Sequence, residues 1–142
     1  MAKSKWLEQH LLDALFYGAT MPTFPNTWYI GLYSTSPVQG NDAAGVELSG
    51  SGYARAAALR GSTVFGASTQ SGSSPAQTKN IIVINCFTAT GALATAVAFG
   101  MFDAITGGNL WYWGSANNPT GLSISSGDKI VLNTGDLTIQ ET

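Results

Sequence analysis

Charge is scarce in this chain. Only 10% of its 142 residues are Asp, Glu, Lys or Arg, against the ~25% usual for soluble domains. There is one histidine, His10, and one cysteine, Cys86. A single cysteine excludes an intrachain disulfide. One Cys and one His cannot supply the four N/S ligands of a structural zinc site within one chain. A hydrolytic centre needs a nucleophile, a base within hydrogen-bond reach and a group that orients the base. The sequence offers no such set, so His10 reads as an ordinary helix histidine and Cys86 as a small buried apolar residue. The expectation is a protein that is not an enzyme and carries no cofactor.

The six cations, Lys3, Lys5, Arg55, Arg60, Lys79 and Lys129, are scattered, and the net charge is −2. No basic stripe is available to neutralise phosphates, so nucleic acid is not an expected partner. No apolar run approaches the ~20 residues that span a bilayer, and no membrane partner is expected. Leu11, Leu12, Leu15 and Phe16 are interrupted by Asp13 and preceded by Glu8 and His10. That pattern does not make a signal-peptide core, so the chain is expected to be soluble and made in a cytoplasm.

What is present is glycine (17 residues), an apolar fraction of 44% and aromatic residues at 11%. Few charges on a domain of this size leave few groups that resist being covered. That suits contact with neighbouring subunits, because interface cores are depleted of charge.

Residues 4–17 carry the 3.6-residue period of an amphipathic helix, with Leu7, Leu11, Ala14 and Leu15 on one face. Ser4 is placed to cap its start and Gly18 its end, while Pro22 and Pro25 prevent continuation. A helix this short is marginal alone and should dock on its own sheet or on a neighbouring subunit. From Trp28 the period falls to 2, with Trp28, Ile30 and Leu32 on one face and Tyr29, Gly31 and Tyr33 on the other. Further strands are expected at 46–48, 53–59, 63–65, 81–84, 92–102, 110–114, 121–124, 129–133 and 136–140. Ile81-Ile-Val-Ile84 reads as a buried strand, and 34–45 and 66–79 read as surface loops. One domain over 1–142 follows, with helix 4–17 and strands across 28–140. The fold class is mainly β: a jelly-roll-like or β-sandwich barrel with one N-terminal amphipathic helix.

Three segments together resemble a group of small phage virion proteins known as tail fibre or capsid decoration proteins. They are Trp28-Tyr-Ile-Gly-Leu-Tyr33 behind the N-terminal helix, Glu47-Leu-Ser-Gly-Ser-Gly-Tyr-Ala-Arg55, and Phe99-Gly-Met-Phe-Asp-Ala-Ile-Thr-Gly-Gly-Asn-Leu110. A closing Ser-Gly-Asp…Gly-Asp-Leu pattern over 126–137 is similar too, whereas Trp111-Tyr-Trp113 is more aromatic than the pattern. The resemblance implies a virion structural protein. The preferred role is a capsid decoration, or cement, protein that bridges major capsid protein subunits as a homo-oligomer, by expectation a trimer. The alternative is a tail-associated protein, a fibre component or a receptor or glycan binder partnered with tail proteins.

Four residues stand out as a candidate interface: Tyr53, Arg55, Trp111 and Trp113. Tyr53 and Arg55 share a strand face, and Arg is enriched where subunits meet. Trp111 and Trp113 share one face of their own strand, with Leu110, Tyr112 and Gly114 on the other; both faces are apolar, and the tryptophans call for cover by the core, a subunit or a sugar ring. Asp103, Asp128 and Asp136 fall at strand ends, where turn capping is the ordinary role. A calcium site would need about six to eight oxygen ligands, so no metal site is assigned to them.

Overall fold

The structure is a computed structural model that describes residues 1–115 and 120–140. The chain begins with a short strand β1 (Ala2–Lys3) and a helix α1 (Lys5–Leu12). Strands β2 (Thr27–Thr35), β3 (Val46–Glu47), β4 (Ala56–Leu59), β5 (Gln77–Lys79) and β6 (Ile84–Thr88) follow. Then come β7 (Leu93–Ala96), β8 (Ala98–Phe102), β9 (Leu110–Ser115), β10 (Leu122–Ile124), β11 (Lys129–Leu132) and β12 (Thr138–Gln140).

The architecture is mainly β with antiparallel pairing and one N-terminal helix, a β-sandwich as expected. One layer is a six-stranded sheet in the order β1-β9-β8-β2-β3, with β4 also paired to β2. The opposing layer is made of three two-stranded ribbons, β7–β10, β6–β11 and β5–β12. Ile30, Ala56, Ala58 and Met101 meet Val64, Ile84 and Leu137 in one core cluster. Leu48, Ala89, Ala96, Ile124 and Ile130 form a second. A third, Tyr33, Ala98, Phe102 and Leu110, lies on the other face of the sheet.

The far edge of β2 is shared by two strands. Thr27 to Ile30 pair with β4, whereas Tyr33 and Thr35 pair with β3. Between them residues 48–55 keep one ladder bond, from the Leu48 amide to Leu32 O at 2.9 Å, and the gap opens opposite Gly31 and the Leu32 amide. That opening positions the site described below.

Ser4 caps α1 as expected, its Oγ accepting from the Leu7 amide at 3.1 Å. Beyond Leu12 the helix widens into a π-helical turn, Asp13–Tyr17, closed by Gly18 at φ 80°. The wider i→i+5 turn breaks the 3.6-residue period, so the later apolar residues do not continue the line of Leu7. Docking is confined to the first turns. Leu7 is buried, and the Trp6 ring lies 4.9 Å from the Trp111 ring on β9. Leu12, Leu15, Phe16 and Tyr17 remain exposed.

Several strand expectations are corrected. Ile81, Ile82 and Val83 are about half exposed and lie outside any strand, and β6 starts only at Ile84. The cause is Asn80, whose buried side chain donates to Ile82 O at 2.8 Å and Asn133 O at 2.7 Å, turning the backbone out of the ladder. Residues 61–65 form a tight turn rather than a strand, with the Val64 and Phe65 amides donating to Gly61 O. The polar stretch 66–79 is not wholly a loop, since it contains β5, paired with β12. Ladder bonds are backbone bonds, so apolar patterning does not reveal them. The run 92–102 divides at Val97, where the chain passes from the β7–β10 ribbon to the main sheet. The strand expected from Tyr53 begins at Ala56.

Trp111 and Trp113 do not share a face. The register shifts between the pairs Met101↔Tyr112 and Phe102↔Leu110, leaving an extra residue on β9. Such a bulge reverses the alternation beyond it. Trp111 turns to the rings of Trp6, Phe24 and Trp28, while Trp113 packs against the third core cluster.

Candidate functional site

Glu47 at the end of β3 and Arg55 just before β4 close the 48–55 excursion on itself. Arg55 donates from Nε to Glu47 Oε1 at 2.8 Å and from Nη2 to Glu47 Oε2 at 2.7 Å. Paired parallel bonds of this kind combine charge with fixed geometry. Tyr53 donates its hydroxyl to the same Glu47 Oε1 at 2.7 Å. The Leu32 amide, left without a strand partner by the split edge of β2, donates to the Tyr53 oxygen at 3.0 Å.

The second arm of Arg55 reaches a different part of the chain. Nη1 donates to Ala104 O at 2.7 Å and Gly107 O at 2.8 Å, and the guanidinium carbon sits 3.4 Å from the centre of the Phe102 ring. Phe102 in turn stacks near Tyr33, centroids 6.2 Å apart. Arg55 thereby ties the 47–55 segment to the turn between β8 and β9. Asp103 fixes the same turn from within, accepting from the Asn109 amide (2.7 Å), Asn109 Nδ2 (2.8 Å) and Trp111 Nε1 (3.2 Å). Gly107 and Gly108 both adopt positive φ, 60° and 71°, a conformation that L side chains resist. Gly31 is needed for space. A Cβ there would come within 2.7 Å of Glu47 Oε1 and 3.0 Å of the Tyr53 hydroxyl.

Burial opposes the charge on Glu47, but hydrogen bonds from Arg55 and Tyr53 and the Arg55 charge outweigh it and hold its pKa below the ordinary range. Burial likewise opposes the Arg55 cation, and the bonds and charge of Glu47 overcome it. Burial pushes Tyr53 well above an ordinary phenol, reinforced by its bond to Glu47. Burial and the Glu47 charge push Tyr33 up to about 12. For Asp103, burial is outweighed by the Asn109 and Trp111 hydrogen bonds, and its pKa is lowered. The cluster is therefore ionised as a closed pair with neutral phenols around it. Four of the five N–H donors of a guanidinium are already engaged, and the Arg55 side chain is only 7% exposed. The arrangement is a clamp that shapes a surface. Beside it lies a cleft of about 370 Å³ lined by Tyr53, Ala54, Ile105 and Thr106 among others.

Of the four residues singled out from the sequence, Tyr53 and Arg55 meet in the clamp. Trp111 is buried and linked to it through Asp103. Trp113 is half-buried, and its indole N–H finds no acceptor among the described residues. Asp128 accepts from the Ser125 amide and Asp136 from the Asn133 amide, each closing its own turn. His10 Nδ1 lies 2.8 Å from Trp6 O, and its ring packs on Trp6. Cys86 is half-buried, and burial pushes its thiol up to about 11. Among the described residues, no group of three or more His, Cys, Asp or Glu could hold a metal ion. No helix there is long and apolar enough to cross a membrane.

Asn80 was not singled out from the sequence. It is buried, donates to two carbonyls, accepts from the Leu137 amide at 2.9 Å and joins β5 to the ends of β11 and β12. A lone Asn beside an apolar run carries no signal that separates this role from a turn.

A family model described as Podophage GP4 fiber I protein gp80 matches residues 2–140. No curated protein matches the chain. The match spans the segments that Arg55 and Asn80 hold together. It supports a fibre-type structural protein of a phage virion, the alternative drawn from the sequence, and gives no support to the preferred capsid decoration role.

Proposed function

The chain belongs to the podophage GP4 fibre I protein family, and we propose that it is a non-catalytic building block of a tail fibre. The family match over residues 2–140 carries this reading. The clamp agrees with it. Its polar groups are engaged with one another, so the Glu47, Tyr53, Arg55 and Asp103 side chains hold two loops in shape. Its partners on this reading are tail proteins and further copies of itself, in place of the major capsid protein.

Labelling intact particles with an antibody against the chain tests the location. Fibre membership predicts label at the tail end in a few dozen copies or fewer. Label spread over the head in hundreds of copies would restore the capsid decoration role.

A further inference from the structure

The end of the N-terminal helix projects uncovered apolar surface. Phe16 is 83% exposed, Tyr17 85%, Leu15 65% and Leu12 57%. At the 150–250 Å² an aromatic residue offers, these four side chains leave on the order of 500 Å² bare, the size at which patches are functional. A standard interface takes about 800 Å² from each partner, so this tip supplies its apolar centre and leaves room for a polar rim. Residues 11–24 hold one charged side chain, Asp13.

The same chain carries a surface of the opposite shape and charge. A cavity of about 390 Å³ is lined by Trp28, Phe65, Ala67 and Ile139, with Arg60 beside them. Trp28, Phe65 and Ile139 are half-buried residues closing the first core cluster. The volume accommodates an aromatic ring, and Arg60 already lies 6.0 Å from the Phe24 ring. A projecting aromatic pair with an acidic neighbour thus matches an apolar cavity with a basic edge.

We propose that the Phe16–Tyr17 tip of one copy seats in the Trp28–Phe65–Ile139 cavity of a second copy, with Asp13 facing Arg60. Unlike surfaces meet, so the contact is head-to-tail and either closes into a ring or propagates. The proposal rests on the fibre reading for its partner, a further copy of the chain, but its test uses the purified chain alone, so its failure leaves the chain's place on the particle untouched.

Two variants test it by sedimentation. Phe16→Ser/Tyr17→Ser removes the tip at exposed positions, and Ala67→Trp fills the cavity from its exposed edge. Circular dichroism and melting confirm that both fold. The wild-type chain should associate with concentration, and each variant alone should associate at least roughly tenfold more weakly, the scale of losing an aromatic anchor. Mixed, the two variants should form a one-to-one dimer that grows no further, since one intact tip then meets one intact cavity. A monomeric wild-type chain at ~100 µM, a tipless variant that associates as wild type, or a mixture that stays monomeric would each overturn the proposal.

Discussion

Arg55 grips Glu47 with two parallel bonds of 2.8 and 2.7 Å while its remaining arm holds Ala104 O and Gly107 O. One side chain thus joins two sequence segments that are about fifty positions apart. The family resemblance had rested on both segments without connecting them.

Replacing Arg55 tests the clamp. Lysine is a point charge and cannot reproduce the planar fork, so Arg55→Lys leaves carbonyls of the 103–109 turn without their donor. Lysine keeps a charge opposite Glu47, so the expected loss is that of the carbonyls left unpaired, ~1–3 kcal/mol by urea denaturation. A change below about 0.5 kcal/mol, the scatter of ordinary surface substitutions, would show that the clamp does not matter to the fold.

Acid should weaken the same cluster. Glu47 and Asp103 have lowered pKa values in the folded chain, so the unfolded chain takes up protons first as pH falls. The stabilisation they give is complete above their ordinary values of 4.5 and 3.8 and is lost as pH drops through the lower folded values. Melting followed from pH 7 to pH 2 should show this loss, and Glu47→Gln should flatten it. Tyr33 has the opposite sign. Its pKa is raised from 10.0 to about 12, so its contribution is complete below pH 10 and disappears as pH climbs towards 12.

Asn80→Asp should be more damaging than its size suggests. The change replaces an amide that donates to Ile82 O and Asn133 O with a carboxylate facing two carbonyl oxygens. A buried unsatisfied polar group costs ~1–3 kcal/mol, and a charge costs more. Asn80→Asp should lower the melting temperature by several degrees at pH 7, with partial recovery near pH 4 as the carboxyl protonates. Equal melting of the two proteins at pH 7 would remove Asn80 from its role as the junction of β5, β11 and β12.

The Cys86 thiol, pushed up to about 11 by burial, should react slowly. Only the thiolate attacks an alkylating reagent, so labelling of the folded protein at pH 8 should be at least roughly tenfold slower than labelling in urea. Equal rates would show that the cysteine is open to solvent.

Much of the fold was legible because it rests on local pattern. Ser4 and Gly18 bound the helix where capping chemistry puts them, and the alternation from Trp28 marks β2, which pairs with β3, β4 and β8 in the main sheet. The errors have one physical origin. The expectation at Ile81-Ile-Val-Ile84 took apolar residues for buried ones, but Asn80 diverts the backbone through bonds that no periodicity records. The bulge at Trp111 reversed a face that strict alternation had assigned. At the site, Tyr53 and Arg55 were visible as residue types. Glu47 as their partner and the reach to Ala104 and Gly107 depend on the split edge of β2, a tertiary feature.

The fibre role itself is tested most directly by particles that lack this chain. Two quantities are measured side by side: the fraction adsorbed to host cells, and the temperature at which heads release DNA. A tail-fibre building block predicts that adsorption falls while heat resistance matches the complete particle. Particles that adsorb normally but release their DNA at lower temperature would contradict the fibre role and return the protein to the head surface.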